Sequence, residues 1–335
     1  MSMSDLDTDQ RNSVVITDLA RYAIKGLSGD QLESMRIPQG GVHTFADDRR
    51  YALLKNKNRD KFDEKNPEWL HEENFLCAFS APELMASFQS NYEIVESCDE
   101  ENDGDDSTSN ERIQRLLTLY RRSGEDGAAS RKPILGPIDL NVQSGRDELA
   151  SFFSYESNED LVCVTKEADG KVNTFQFGNT SAGVKNNHAG DTRTVHLVNR
   201  ATIRQFSDKI GLDLNPMRFR PNIIIDGLDP WEEFNWVGRK FRVVSEGNSH
   251  DDASNSDTTI IMKVLTKTVR CEGIGIDPLD PSTGKLDIPK LLKDNYPEHG
   301  PYLGIYASLE VIDGDNRNNS GNGKLLSVGD TLELL

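Results

Sequence analysis

The sequence is poor in the marks that most cofactor-using and nucleic-acid-binding enzymes carry. No GxGxxG, P-loop or GxSxG occurs in the 335 residues. Nothing therefore points to a dinucleotide, a nucleoside triphosphate or an α/β-hydrolase serine. The six histidines are scattered without an HxH or HxxxH pair, which removes the usual spacing of a zinc site. His196, within TVHLVN, reads as a sheet or core histidine. Cysteine is scarce. Cys77, Cys98, Cys163 and Cys271 form neither a CxxC nor an even framework, so a reducing compartment is the simpler expectation. Basic residues are outnumbered, 38 Lys and Arg against 56 Asp and Glu, giving a net charge of −18. Phosphate backbones need a basic face, so no nucleic acid is expected as a partner. No apolar run reaches spanning length, so no membrane span is expected. The opening MSMSDLDTDQ is acidic and polar, unlike a secretory or transit segment, and the cytoplasm is the expected location.

What is present is a chain long enough for two modest domains, with 36% hydrophobic residues. Many short strand patterns and few helices place it in a mainly β (α+β) class, a barrel or sandwich. Residues 14–55 read as β, with VVITDLARYAI alternating, LESMRI following, and RRYALL after a turn at Gly40–Gly41. Segment 58–74 is charged and reads as loop. PELMASFQS (82–90) suits a short helix with Pro82 in its first turn. ERIQRLLTLYRR (111–122) fits either a helical face or a strand. KPILGPIDLNV (132–142) is extended and broken by prolines. SGRDELASFFSYE (144–156) is a helix that Ser144 can cap, with Leu149, Phe152 and Phe153 on one face. DTRTVHLVNRATIRQFSDKIG (191–211) reads as strand then helix, capped by Asn199. WVGRKFRVV (236–244), TTIIMKVLTKTVRC (258–271) and YLGIYASLEVI (302–312) are strands, and DIPKLLKDN (287–295) is a short helix. GNSHDDASNSD (247–257) and DGDNRNNSGNG (313–323) read as long polar hairpin loops.

Between Glu96 and Glu111 there are eight acidic residues and no basic one. Such a tract cannot bury enough apolar surface to offset its ordering entropy, so it reads as an acidic disordered linker. DEENDGDDSTSN (99–110) has a calcium loop's alternating acids and a sixth-position glycine, but Asn110 stands where the bidentate glutamate is needed.

Two stretches carry chemistry. PMRFRPNIIIDG (216–227) sets Arg218, Arg220 and Asn222 just before the apolar run Ile223–Ile225. KTVRCEGIGIDPLDP (267–281) sets Cys271 directly after Arg270, ahead of the alternation Gly273–Ile274–Gly275–Ile276. Both read as polar groups placed where a chain enters a sheet. Taken alone, Cys271 is either a small buried hydrophobe or a thiolate favoured by its arginine and suited to a thiophilic metal. The arginines alone are either surface charge or an anion pocket.

In this order and at this distance the two stretches resemble the MOSC domain, the C-terminal domain of molybdenum-cofactor sulfurases and the core of amidoxime-reducing molybdenum enzymes. RFRPN and the Arg-Cys pair are the specific marks. RYAIKGLSG (21–29) and DDRRYAL (47–53) resemble segments of the N-terminal β-barrel domain that precedes MOSC in those enzymes. The resemblance favours a strand for 111–122. It implies an N-terminal MOSC-N-like β-barrel domain at 11–95, the linker at 96–111, connecting strands and a helix at 112–160 that complete the N-terminal part, and a MOSC domain at 161–335. A pterin-binding cleft is expected between the two parts. It implies molybdenum cofactor (Mo-molybdopterin), with Cys271 as catalytic metal ligand. Lys25, Arg49, Arg218, Arg220, Asn222, Arg270 and Tyr306 are the implied cofactor contacts.

The implied activity is reduction of N-hydroxylated or N-oxide small molecules, with electrons from a separate donor protein of cytochrome b5 or ferredoxin type. The alternative is a non-catalytic carrier of the cofactor or of a persulfide sulfur. The chain is too short and too β-rich for the PLP-dependent half of the sulfurases, and no cysteine follows Cys271 to build a fused iron–sulfur tail, so neither group is expected. Ala23 and Gly26 replace the family's common Pro and Ser, and Gly26 removes a hydroxyl that would face a phosphate. Glu233-Phe234-Asn235-Trp236 replaces its Glu-Asp-x-Trp, and Val269 precedes Arg270 where relatives often carry Ser or Pro.

Overall fold

The computed structural model describes residues 13–39, 42–98, 111–122, 129–130, 132–166, 175–178, 194–245, 259–281, 284–312 and 323–335. The Gly40–Gly41 turn, 99–110 of the acidic tract and most of the two polar loops lie outside them.

The strands are β1 Val14–Arg21, β2 Asp30–Leu32, β3 Ser34–Ile37, β4 Val42–His43, β5 Tyr51–Lys55, β6 Phe75–Leu76, β7 Phe88–Cys98, β8 Glu111–Arg121, β9 Leu135–Asp139, β10 Leu161–Thr165, β11 Val195–Asn199, β12 Ile223–Asp226, β13 Lys240–Val244, β14 Thr259–Val269, β15 Tyr302–Ile312, β16 Lys324–Ser327 and β17 Thr331–Leu334. The helices are α1 Pro82–Ala86, α2 Gln143–Ser157, α3 Arg200–Ile210 and α4 Ile288–Asn295.

The protein is mainly β. Its largest sheet runs β11-β12-β1-β17-β13-β14-β15 and closes on itself where β15 pairs again with β11. Closure leaves this barrel without a free edge among those strands. All its neighbours are antiparallel except β11 and β12. A parallel pair needs a crossover, which α3 supplies. Asn199 Oδ1 accepts from Ala201 N at 3.0 Å to start α3, and Gly211, at φ 67°, ends it. Ile203 and Phe206 are buried under the helix. β1 sits between β12 and β17, so the barrel is built from both ends of the chain.

The remaining chain forms smaller antiparallel sheets: β10-β5-β6, β7-β8-β9 and β16-β3. α2 buries Leu149 and Phe153 in a second apolar cluster with Phe88, Leu117 and Leu53.

Several local expectations change. α2 starts at Gln143 with Val142 at its cap and no side-chain bond there, so Ser144 does not cap it. Gly145 explains the start, because a Cβ there would lie 2.1 Å from Asp139 O. The helix at 82–90 stops at Ala86, and Phe88 already opens β7. Segment 58–74 contains 3-10 turns at Asn56–Lys61 and Glu72–Asn74. The ends of the acidic tract are strand, with Cys98 opposite Glu111 across β7 and β8. The 313–323 segment does not join paired strands, since β15 leads into β16, which pairs with β3. After Cys271 the chain makes a 3-10 turn, Glu272–Ile274, and leaves the sheet instead of entering one. Backbone pairing decides these cases, and a 3- to 6-residue pattern does not encode it.

Two polar groups inside this apolar frame invite measurement. Glu233 is fully buried. It accepts from Thr202 Oγ1 at 2.9 Å and Asn199 Nδ2 at 3.1 Å, and burial pushes its carboxyl up to about 7 from 4.5. Because the folded chain keeps this proton where the unfolded chain has lost it, stability falls as pH rises between those values. Glu233→Gln should therefore gain melting temperature relative to wild type between about pH 5 and about pH 7.5. Equal temperature differences at both pH values would contradict this. Asp47, also fully buried, takes Arg115 Nε at 2.8 Å, Arg50 at 2.9 Å and the Tyr92 hydroxyl at 2.9 Å. Asp47→Ala strands two buried guanidiniums, and urea unfolding should show a loss of about 3–5 kcal/mol.

Candidate functional site

A cavity of about 310 Å³ opens where the barrel meets the β5–β6 region. Lys25, Arg49, Arg220, Arg270, Cys271 and Tyr306 all line it, although they are spread over most of the chain. Arg218 and Asn222 do not reach it and stand behind it.

Backbone contacts place the first two cations. Lys25 N donates to Tyr51 O at 2.8 Å, and Arg49 N donates to Tyr22 O at 2.7 Å. The loop after β1 is thereby stitched to the start of β5. Arg49 has φ 50° and Arg220 φ 54°, a left-handed conformation that costs a non-glycine residue free energy. Arg220 follows a 3-10 turn, Pro216–Phe219, that Asn215 caps through Met217 N at 2.9 Å. Arg220 gives its NH1 to Leu27 O at 2.6 Å, and Arg49 gives NH2 to Arg220 O at 3.2 Å. Both guanidiniums approach the Tyr22 ring, Arg49 at 4.9 Å and Arg220 at 4.4 Å from its centroid. A π face attracts both cations and so offsets part of their mutual repulsion.

Asn222 is a bracket. Its Oδ1 accepts from His196 N at 3.0 Å and from Arg49 NH1 at 3.3 Å. Its Nδ2 donates to Asp48 Oδ1 at 2.9 Å and Ala20 O at 3.1 Å. Arg218 is another bracket: it donates to Gly275 O at 2.6 Å and lies 3.6 Å from Asp277. It thus ties the Arg218–Asn222 segment to the turn that follows Cys271.

Arg270 NH2 donates to Phe219 O at 2.9 Å, and NH1 meets His196 Nε2 at 3.3 Å. The other ring nitrogen of His196 faces Arg220 O at 3.3 Å. A guanidinium can only donate, so Nε2 accepts and the proton sits on Nδ1. Burial, reinforced by Arg270, holds His196 well below the ordinary imidazole range. It is a neutral link between the Arg270 guanidinium and the Arg220 carbonyl, and the sheet-histidine expectation is met with this addition. Burial lowers Arg220 to about 10 and also lowers Arg270, while it raises the Tyr306 phenol.

Among the described residues, Arg220 and Arg270 meet no carboxylate within ion-pair range, whereas Arg49 pairs with Asp48. Arg270 Nε is buried with no partner there. Desolvated cations facing carbonyl oxygens in a cavity favour an anionic guest. Cys271 is exposed on the cavity wall, and among the described residues no group of three or more His, Cys, Asp or Glu could hold a metal. This donor set fits a metal that arrives on its own anionic organic ligand, with a single thiolate added by the protein.

Several contributors escaped the sequence. Cys77, His71 and Phe79 line the cavity from the β6 region, and no motif marks them. Only the approach of β6 to the barrel brings them in. Gly26 acquires a reason of its own: its φ is 97°, and a Cβ would lie 2.7 Å from Cys77 Cα and 2.8 Å from Ala78 N. Gly26→Ser should therefore not supply a useful hydroxyl. It should lower stability by about 1–3 kcal/mol, read as a depressed midpoint in chemical denaturation. An unchanged midpoint would show that the loop relaxes freely.

No helix among the described residues is long and apolar enough to cross a membrane. A search of curated proteins finds no match to the chain. The family model of the MOSC domain matches residues 184–333, a span that holds Arg220, Asn222, Arg270, Cys271 and Tyr306 but not β1, Lys25 or Arg49. Residues 184–333 of the chain are thus similar to the MOSC domain.

Proposed function

We propose that the chain binds molybdenum cofactor and reduces N-hydroxylated or N-oxide compounds, with Cys271 as the protein's ligand to the metal. MOSC domains are associated with molybdenum-cofactor-dependent activities. The observation that carries the reading is the gathering of Lys25, Arg49, Arg220 and Arg270 around one cavity with the exposed thiol of Cys271. When bound, the cofactor would supply two-electron reduction at a site able to take up the substrate's oxygen. The chain's own residues do the rest. Arg220 and Arg270 hold the phosphate end of the ligand, with Arg49 and Lys25 beside them. The Tyr22 ring and neutral His196 help hold the guanidiniums in place. Tyr306, kept as a phenol by burial, can donate a hydrogen bond into the cavity. The substrate's N–O bond is broken, two protons are taken up and water leaves. Both electrons come from a separate donor protein of cytochrome b5 or ferredoxin type.

Cys271 is exposed, which also suits transfer of cargo to another protein and keeps the carrier reading alive. The two separate by experiment. Protein made in a host that supplies the cofactor should hold molybdenum in stoichiometric amount by mass spectrometry. Cys271→Ala should lose one Mo–S contribution in X-ray absorption while keeping its melting temperature. Full metal with an unchanged sulfur signal would refute Cys271 as ligand. Reduction of benzamidoxime by loaded protein with a donor system supports the reductase. Failure with every donor and with a chemical reductant, alongside release of cofactor to an acceptor protein, supports the carrier.

A further inference from the structure

We propose that the cavity beside Cys271 continues into a slot for flat aryl groups without negative charge, walled by Phe79 and His71 and screened by Glu72. The proposal deepens the reductase reading and rests on it only for the reaction performed in the slot.

The cavity has two chemistries. One part presents the guanidiniums of Arg49, Arg220 and Arg270, which call for an anion. The other presents rings. Phe79 and His71 both line it, and their centroids are 6.2 Å apart at 89°. Trp69 backs His71 at 6.0 Å and 86°. Three rings thus form one continuous edge-to-face ladder, the packing that aromatic quadrupoles prefer. A fourth flat ring can extend such a ladder, whereas an alkyl chain gains only apolar contact.

Hydrogen bonds hold the backbone that carries the two rings. His71 Nδ1 accepts from Glu73 N at 3.3 Å, and His71 O accepts from Asn74 N at 3.0 Å and Asn74 Nδ2 at 2.8 Å. Further on, Ser80 Oγ donates to Phe75 O at 2.7 Å and accepts from Cys77 N at 3.0 Å. A preorganised wall loses little entropy on binding.

The lining beside the thiol is small. A Cβ on Gly273 would meet Cys271 Sγ at 3.5 Å and the Phe79 backbone, N at 3.5 Å and Cα at 3.6 Å. The glycine thus leaves a methyl-sized gap between the thiol and the backbone that carries the Phe79 ring. Val269 and Ile274 add apolar surface there. Glu72 is the acid in this lining. It sits 3.9 Å from His71 Nε2 and shares the cavity lining with Tyr306. An acid so placed disfavours a substrate with a negative charge of its own.

The test is binding, measured by titration calorimetry on the natively expressed protein with three probes: benzamidoxime, acetamidoxime and 4-carboxybenzamidoxime. Wild type should bind benzamidoxime roughly tenfold more tightly than acetamidoxime. Phe79→Leu should bring the two within about twofold while leaving acetamidoxime unchanged. That unchanged alkyl affinity, with the melting temperature, shows the variant to be folded, and Phe79→Met serves if the leucine variant is not. Glu72→Gln should tighten the carboxylated probe severalfold and leave benzamidoxime as it was. Equal affinities for aryl and alkyl probes, a ratio unmoved by either Phe79 variant, or no binding of any probe would overturn the slot. Aryl selectivity without reduction by loaded protein would overturn the reductase reading and spare the slot. Equal kcat/KM for benzamidoxime and acetamidoxime would do the reverse.

Discussion

Four consecutive charged residues, Asp47-Asp48-Arg49-Arg50, hold the molecule together at the point where its parts meet. Asp47 and Arg50 face the β7–β8 sheet, where Asp47 accepts from Tyr92 and Arg115. Asp48 and Arg49 face the barrel, where Asp48 takes Tyr22 N, Asn222 Nδ2 and, at 2.6 Å, Gln176 Nε2. Left-handed backbone at Asp47 and Arg49 lets neighbouring side chains depart in opposite directions. All four residues are buried, so each charge needs a partner: Asp47 pairs with Arg50 and Asp48 with Arg49 inside the turn, and the further partners Tyr92, Arg115 and Asn222 come from other segments. Burial of an unpaired charge costs several kcal/mol, so a misplaced β7, β8 or β12 is strongly disfavoured.

The cavity inherits its electrostatics from that turn. The chain is acidic overall, with a net charge of −18, yet its cavity gathers four cations. Arg49 has spent its charge on Asp48, while Arg220 and Arg270 are desolvated against carbonyl oxygens and a neutral imidazole. Low dielectric strengthens whatever anion they meet. The local field around the cavity, more than the net charge, decides what the protein binds.

Cys271 depends on residues that never touch the cavity. Arg218 anchors the turn after it through Gly275 O. Arg270 N is held by Pro301 O at 2.7 Å, where the chain enters β15. The thiol's position is thus a property of three separate chain segments. The same construction brings Gly273 up to the backbone of Phe79.

The mainly β class, the strand–helix order of 191–211, the cap at Asn199 and the short helix at 287–295 were readable from local pattern, because they depend on neighbours a few residues away. Asp287 Oδ1 accepts from Lys290 N at 3.0 Å. Arg220, Arg270 and Cys271 were readable because RFRPN and the Arg-Cys pair are contiguous motifs, and Lys25 and Arg49 because their segments resemble those that precede such a domain. Barrel closure between β11 and β15, the insertion of β1 between β12 and β17, and the division of labour between Arg220, which lines the cavity, and Arg218, which braces it, were not readable. Each depends on pairing across a hundred residues or more, or on a backbone turn that sends two nearby arginines opposite ways. Cys77, His71 and Phe79 carry no local mark at all. They belong to the cavity only because β6 pairs with β5 and the backbone of Ala78 packs against Gly26. The sequence alone determined which groups could do chemistry, through residue type and short spacing. The tertiary structure decided which of them share one desolvated space, because long-range strand pairing and buried charge satisfaction act on segments that no local pattern relates.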